Sequence, residues 1–392
     1  MRKSLSMFLL LLALSLNALA LSPSKVNNLL GIPLFGKAGW KEEPVAIGER
    51  LHIRLESTVV NGNPVYSGYT HTKSLGCTLQ QIIIRCRLTS SGRSTIDSVQ
   101  LVYTNKGDSR NGGGKNFEKA FREDAKAIDK RLRNALGNPG HHRGASVWQL
   151  DSSTLLSFEN ERNEYLMVTI SRQGRDDELS DNQLRQQERR AIKRTDFREN
   201  LETNSFGDCF IRSVPMVNQG NKGYCGPATL ERCLLYYGIT AYDMHSLAQI
   251  CDTSAGGGTL LRQIHDESRK ILRRYGLDLK TRDLTMDSIA KVINQGHLIF
   301  WSHYYGNAIN QRLSDNTAMR QHQTAAKWEK IIRKQRRLGK ENDAHISLII
   351  GYNRKTQEIA VSDSWGNNFS LRWLPLEDAA RITIGSIDVV TP

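Results

Sequence analysis

The segment at residues 214–228, VPMVNQGNKGYCGPA, decides the fold of the C-terminal half of this 392-residue chain. Its glycines predict a loop, and Pro227 predicts that a helix begins next to Cys225, because proline suits the first helical turn. An apolar stripe at helical spacing follows and ends at Gly238. A cysteine at the start of a helix lies beside unpaired N–H groups that favour the thiolate, which is the reactive form. We therefore interpret Cys225 as a nucleophile rather than as a buried structural thiol.

Two downstream segments offer a base and a carboxylate that orients it. Residues 343–352, DAHISLIIGY, are typical of a buried strand with His345 at its entry, and residues 361–366, VSDSWG, place Asp363 at the end of the next strand. Adjacent antiparallel strands would bring Asp363 against the imidazole and fix its tautomer. Gln219, six residues before Cys225, is the candidate donor to a developing oxyanion, together with the Cys225 backbone N–H.

These elements, in this order, resemble the papain-like cysteine peptidases. The spacing from Gln219 to Cys225, the strand after His345 and the run DSWG all match that family's motifs, with Asp363 where the family has Asn. The run YCGPA is closer to bacterial peptidases that resemble the bacteriocin leader-processing (double-glycine) enzymes, in which Asp is the usual third member. The resemblance covers residues 206–392. It implies a papain fold, a peptide or protein substrate, hydrolysis through an acyl-thioester, and no cofactor.

Two departures from the family keep other functions open. Leader-processing enzymes are fused to membrane transporters, and this chain contains none, so double-glycine leaders are not assumed as its substrate. An Asp in place of Asn also suits a transglutaminase-like acyl transferase. A further alternative is a non-catalytic protein that binds peptides or cell-wall material on a peptidase fold. The β-rich N-terminal half and the positive charge of the chain motivate that alternative.

The chain as a whole is expected to be α+β, with an N-terminal β-rich α+β domain followed by a papain-like cysteine peptidase domain. We expect a signal peptide at 1–20, the N-terminal domain (a pro-region or targeting module) at 21–182, a basic linker helix at 183–205 and the peptidase domain at 206–392. Apolar and β-branched runs predict strands, and helical periodicity predicts helices. The strands are expected at 51–55, 59–60, 82–84, 99–103, 146–150, 165–170, 298–301, 346–351 and 359–362, and the helices at 116–136 and 268–275.

The first twenty residues have the composition of a secretory signal. Arg2 and Lys3 precede a short apolar run, and Ala18 and Ala20 supply a cleavage pattern of small residues. We therefore expect a secreted or periplasmic protein with no transmembrane segment after cleavage. The mature chain would carry 52 basic and 40 acidic residues, a net charge of +12. That charge favours weak association with anionic cell-envelope polymers. Nucleic-acid binding is not expected, because the basic runs lack interleaved aromatic residues.

The cysteines and histidines do not occur in a metal-binding pattern, because the sequence contains neither C-x-x-C nor H-E-x-x-H. No metal site is therefore expected. Cys77 and Cys86 flank a strand-like run, so we expect them to form a disulfide across a hairpin in an exported protein. His303, beside Trp301, is expected to pack in the core.

Overall fold

The computed structural model describes residues 23–89, 93–108, 115–142, 144–172, 181–254 and 258–392. The expected signal peptide lies outside these residues. The chain divides into two compact units, of which the first takes most of the described residues up to 172 and the second takes residues 181–392 together with 58–61 and 107–108. Both contain helices and sheets, so the α+β class is confirmed. In the described ranges, no helix is both long enough and apolar enough to cross a bilayer.

The first unit is an antiparallel sheet with helices packed on it. In the described part, its sheet has eight strands in the order β1-β2-β5-β6-β10-β9-β8-β7. Apolar side chains of its described α-helices join the sheet in one core. The helices are α1 (Pro23–Leu30), α2 (Pro44–Leu51) and α3 (Lys115–Leu136), and the strands are β1 (Glu56–Val60), β2 (Asn63–Tyr69), β3 (Lys73–Ser74), β4 (Cys77–Thr78), β5 (Gln81–Leu88), β6 (Ser94–Asn105), β7 (Gly140–His142), β8 (Ala145–Asp151), β9 (Thr154–Glu161) and β10 (Tyr165–Arg172).

One strand predicted in this unit is wrong. Residues 51–55 do not form a strand, because helix α2 extends to Leu51 and closes there. Pro44 begins the helix, and His52 ends it in the left-handed conformation with φ 55°. The Ile53 N–H then donates to the Gly48 carbonyl at 2.8 Å, a bond that closes the helix end. The predicted helix at 116–136 is confirmed, since it lies within α3.

The expected disulfide between Cys77 and Cys86 is also wrong, since all six cysteines are free thiols. Cys77 lies in β4, which pairs with β3 in a separate two-stranded sheet, whereas Cys86 lies in β5 of the large sheet. The run between them is therefore not a hairpin. The Cys77 thiol instead points to the Asp124 carbonyl of helix α3, at 3.7 Å.

The second unit is built around a sheet in which the described strands follow the order β11-β12-β15-β14-β18-β13, while β16 pairs with β15 and with β17. Helices α5, α7 and α8 pack their apolar faces into its core. The helices are α4 (Asp181–Arg194), α5 (Cys225–Tyr236), α6 (Met244–Ile250), α7 (Leu261–Arg274), α8 (Met286–Ile293), α9 (Asn307–Arg320), α10 (Ala325–Lys334) and α11 (Leu376–Ile382). The strands are β11 (Leu201–Thr203), β12 (Cys209–Ile211), β13 (Asp278–Arg282), β14 (Ile299–Tyr305), β15 (Asp343–Asn353), β16 (Glu358–Ser362), β17 (Arg372–Pro375) and β18 (Thr383–Thr391).

The pairing of β15 with its two neighbours brings distant residues together. On one side, His303 of β14 lies directly opposite His345. On the other side, Leu348 pairs with Ser362 of β16, so the residue after Ser362 reaches the level of Ser347. Residues two apart on a strand share a face, and directly opposite residues do so as well. His303, His345 and Ser347 therefore share one face of the sheet.

Strand β12 approaches β15 closely at Gly351, which pairs with Phe210. A Cβ at position 351 would lie 2.5 Å from the Phe210 Cβ and 2.7 Å from the Cys209 carbonyl oxygen. Ordinary carbon–carbon contacts are about 3.5–4.0 Å, so only glycine fits this crossing.

A buried ion cluster holds helices α9 and α10 onto the sheet. Arg320 of α9 pairs with Asp208 at 2.8 Å and with Glu358 of β16 at 3.1 Å. The indole of Trp328, on α10, donates to Glu358 at 3.0 Å. Helices α9 and α10 form an insertion in the chain between β14 and β15, and this cluster holds that helical insertion against the sheet.

Candidate active site

Cys225 is the first residue of helix α5, as the sequence predicts, and the residue as a whole is half-buried. The rest of the helix, from Gly226 to Tyr236, is buried. The hydroxyl of Thr229 donates to the Ile346 carbonyl of β15 at 3.0 Å, which fixes the helix against the strand that carries His345. The thiol is thus held at a helix amino terminus beside a buried imidazole.

His345 lies at the entry of β15 and is 4 % exposed. Its Nε2 atom lies 3.1 Å from Oδ1 of Asp363, which follows the end of β16. A carboxylate only accepts hydrogen bonds, so Nε2 carries a proton and Nδ1 is left for Cys225. The indole of Trp365 stacks on the imidazole, with ring centroids 4.3 Å apart and planes at 10°, and Tyr305 packs on it at 4.9 Å. These rings restrict the imidazole to one plane.

Asp363 is completely buried and interacts with more than the imidazole. Its Oδ1 atom accepts a hydrogen bond from the Ser347 hydroxyl, and its Oδ2 atom accepts one from Arg372 at 2.5 Å. Ser347 also lies 2.8 Å from Nε2 of His303, which stacks on Trp301 in the core. The carboxylate therefore receives donors on both of its oxygens.

The protonation of the cysteine and histidine follows from these contacts. Burial alone would raise the pKa of Cys225, but the hydrogen bond from His345 and its positive charge hold that pKa below its ordinary value. Burial alone would lower the pKa of His345, but the hydrogen bonds to Asp363 and Cys225 raise it to about 9. Burial would raise the pKa of Asp363, and the interactions with His345 and Arg372 hold it well below its ordinary range. These shifts favour a thiolate–imidazolium pair beside an ionised carboxylate at neutral pH.

Gln219 is buried in the loop before α5 and is anchored at both ends of its amide. Nε2 donates to the Lys222 carbonyl at 2.8 Å, and Oε1 accepts from the Ser364 hydroxyl at 3.0 Å. The Gln219 backbone N–H donates to the Ser364 carbonyl at 2.8 Å. An amide nitrogen carries two hydrogens, so one remains for a substrate oxygen. Gln219 is thus tied to the residue after Asp363.

Sequence reasoning missed three polar residues of this site. Ser347, two residues after His345, carries a signal in hindsight, since residues two apart share a strand face. Arg232 lies seven residues after Cys225, about two helical turns, and is completely buried. It donates to the Pro215 carbonyl at 2.9 Å and to the Ser362 carbonyl at 3.1 Å. Arg372 carried no local signal that connects it to Asp363.

A metal ion does not fit these side chains as they are arranged. Ligand atoms of His303, His345 and Asp363 lie within 4.8 Å of one another. The Nε2 atom of His345 and both oxygens of Asp363 are, however, already engaged in hydrogen bonds. The buried cation Arg372 also opposes a second positive charge next to the same carboxylate.

A comparison with protein families supports the resemblance seen in the motifs. The model of the Peptidase_C39 like family matches residues 211–380, a range that contains Gln219, Cys225, His345 and Asp363. A C39-like domain is therefore present in the C-terminal part of the chain, and this family suggests cysteine peptidase activity. A search of curated proteins found no match.

Proposed function

We propose that the protein is a cysteine peptidase that hydrolyses peptide bonds with a Cys225-His345-Asp363 triad. The observation that carries the proposal is the geometry of the site: Cys225 begins helix α5 within hydrogen-bond reach of His345, and the Nε2 atom of His345 lies 3.1 Å from Asp363. A thiolate that exists at neutral pH needs no further activation to attack a carbonyl carbon.

In the first half of the reaction, the Cys225 sulfur attacks the scissile carbonyl carbon of the substrate, and the carbonyl oxygen becomes an oxyanion. The free amide hydrogen of Gln219 and the Cys225 backbone N–H donate to that oxygen. His345 then gives its Nδ1 proton to the leaving amine, and the C–N bond breaks to leave an acyl-thioester. Asp363 keeps the imidazole in the required tautomer throughout.

In the second half, His345 removes a proton from water, and the hydroxide attacks the acyl-thioester. The carbon–sulfur bond breaks, the acid product leaves, and the thiolate–imidazolium pair is restored. No cofactor or metal takes part in either half of the proposed reaction.

The proposal is tested by incubating the full chain with a peptide library and identifying the products by mass spectrometry. The matched pair of variants is Cys225→Ala and Cys233→Ala, both on helix α5. Cys233 is completely buried, and burial raises its pKa, so it serves as an inert control. We expect the Cys225 variant to lose hydrolysis and the Cys233 variant to keep it. Full hydrolysis by Cys225→Ala would overturn the proposal.

The same experiment distinguishes the other two functions. An added primary amine that appears covalently in the products, in place of water, would identify an acyl transferase. Peptides retained unchanged by the wild-type protein would identify a binding protein. In both cases, the peptidase proposal would be rejected.

We also propose that the protein is exported and that residues 1–20 are removed. The support is the sequence alone, with Arg2 and Lys3 before a short apolar run. Protein recovered outside the cytoplasm should begin at Leu21, as read from the mass of its amino-terminal peptide. Recovery of the chain only in the cytoplasm, with Met1 or Arg2 at its start, would contradict export.

A further inference from the structure

We propose that Arg372 is a positioning residue that neutralises the charge of Asp363. The Asp363–Arg372 pair then serves His345 as a hydrogen-bond acceptor that carries no net charge. The inference concerns the same site as the proposed peptidase function and rests on it. It assigns a role to a residue that neither the motifs nor the family match singles out.

The two oxygens of Asp363 are divided between its partners. Oδ1 accepts hydrogen bonds from His345 and Ser347, while Oδ2 accepts one from Arg372 at 2.5 Å. Both Asp363 and Arg372 are buried, at 0 % and 2 % exposed. Opposite charges in direct contact away from water compensate each other strongly. The imidazole therefore faces an oxygen whose negative charge is already matched on its far side.

The guanidinium is fixed by other residues as well. Its Nη1 atom donates to Oδ1 of Asn310 at 2.6 Å and lies 3.2 Å from the Ser314 hydroxyl, and both residues belong to helix α9. The ring of Phe369 lies under it, with its centroid 4.7 Å from Cζ. Arg372 thus links the helical insertion to the carboxylate that orients His345.

This arrangement has a chemical consequence for the general acid. An unmatched Asp beside His345 would bind the imidazolium more tightly and weaken its ability to release a proton to the leaving amine. In this site, Arg372 supplies the positive charge that matches Asp363, so the carboxylate holds the imidazolium less tightly.

Other charged and titratable groups face the triad from the neighbouring elements. His303 and Tyr305 lie on β14, where His303 is buried and Tyr305 is half-buried. Burial lowers the pKa of His303 to about 3, so this imidazole stays neutral. Arg232 of α5 is a second buried cation, but it bonds to Ser362 and Pro215 rather than to Asp363. Among the described residues, Arg372 is the cation that contacts the carboxylate besides the His345 imidazolium itself.

The test is a double-mutant cycle that measures the ionisation of Cys225 directly. Thiolate absorbance of the full chain is recorded against pH, and the signal of Cys225→Ala is subtracted. Asp363→Asn leaves Arg372 as an unmatched cation beside His345. We expect thiolate formation to move to higher pH by about one unit or more, a tenfold change in the ionisation constant. Asp363→Asn/Arg372→Gln removes both charges, and we expect its titration to return to within about threefold of wild type.

A third variant separates the effect of the charge of Arg372 from the effect of its shape. Asp363→Asn/Arg372→Lys keeps the cation, so we expect no recovery, and this comparison remains available if Arg372→Gln alone fails to fold. Equal titrations of the Gln and Lys double variants would overturn the inference, as would additive effects of the two substitutions. Because thiolate formation is read without a substrate, this outcome is independent of whether peptides are hydrolysed.

Discussion

Replacing Gln219 with alanine tests the proposed oxyanion site most sharply, because its side chain has a structural and a catalytic role that can be separated. The substitution removes the bond from Nε2 to Lys222, at 2.8 Å, and the bond from Ser364 to Oε1, at 3.0 Å. It also removes the remaining amide hydrogen, which is proposed to donate to the oxyanion. The first two losses affect stability, and the third affects the reaction rate.

The expected magnitudes follow from these three contacts. Two buried hydrogen bonds contribute about 1 kcal/mol each, so the free energy of unfolding should fall by about 2 kcal/mol. In a domain of about 200 residues, that corresponds to a loss of about 4–8 °C in Tm. Loss of one oxyanion donor should lower kcat by about 10²–10³-fold. KM should change little, since the donor acts mainly in the transition state.

Ser364→Ala is the matched control, because it removes only the bond that holds the Gln219 oxygen. We expect it to lose about 1 kcal/mol of stability and less than about tenfold in kcat. Steady-state kinetics on a peptide that the wild-type protein cleaves, with thermal unfolding of each variant, supply both measurements. The oxyanion role would be refuted if Gln219→Ala kept a kcat close to that of Ser364→Ala.

Three further predictions follow from the site and the fold. His345 must be protonated to release the leaving amine, and its pKa is about 9, so kcat/KM should fall as the pH rises through about 9. A fall that begins near the ordinary histidine pKa of about 6.5 would contradict the ion pair. Gly351→Ala should lower the free energy of unfolding by about 3 kcal/mol, because the added Cβ would overlap Phe210. Gly339→Ala is the control, since a Cβ at position 339 would enter open space, and equal thermal unfolding of the two variants would contradict this packing. All six cysteines should react with a thiol reagent after denaturation without reductant, and a smaller number would reveal a disulfide.

The parts of the site that depend on local signals could be predicted from the sequence. Pro227 and the glycines around Cys225 predict where helix α5 begins, and the structure has the helix beginning at Cys225. The apolar run after His345 predicts β15, and the structure has that strand from Asp343 to Asn353. In both places, the preference of a short stretch of chain agrees with the fold around it.

The contacts that depend on strand register could not be predicted in the same way. Ser347 reaches Asp363 because of how β15 pairs with β16, and that pairing contains an irregularity between Ile349 and Gly351. Arg372 reaches the same carboxylate from a third strand, β17. Register over several strands is set by the packing of the whole sheet, which a single segment does not encode. The expected Cys77–Cys86 disulfide failed for the same reason, since it assumed a hairpin pairing.

The rate at which iodoacetamide alkylates Cys225 tests most directly whether His345 holds this residue as a thiolate. The full chain is labelled at about pH 6, where an ordinary thiol with a pKa of about 8.5 is almost entirely protonated. Modified residues are then mapped by mass spectrometry, with Cys225→Ala as the blank. We predict labelling at Cys225 that is at least about tenfold faster than that of an ordinary thiol at the same pH. Labelling of Cys225 no faster than an ordinary thiol would contradict the ion pair and, with it, the proposed mechanism.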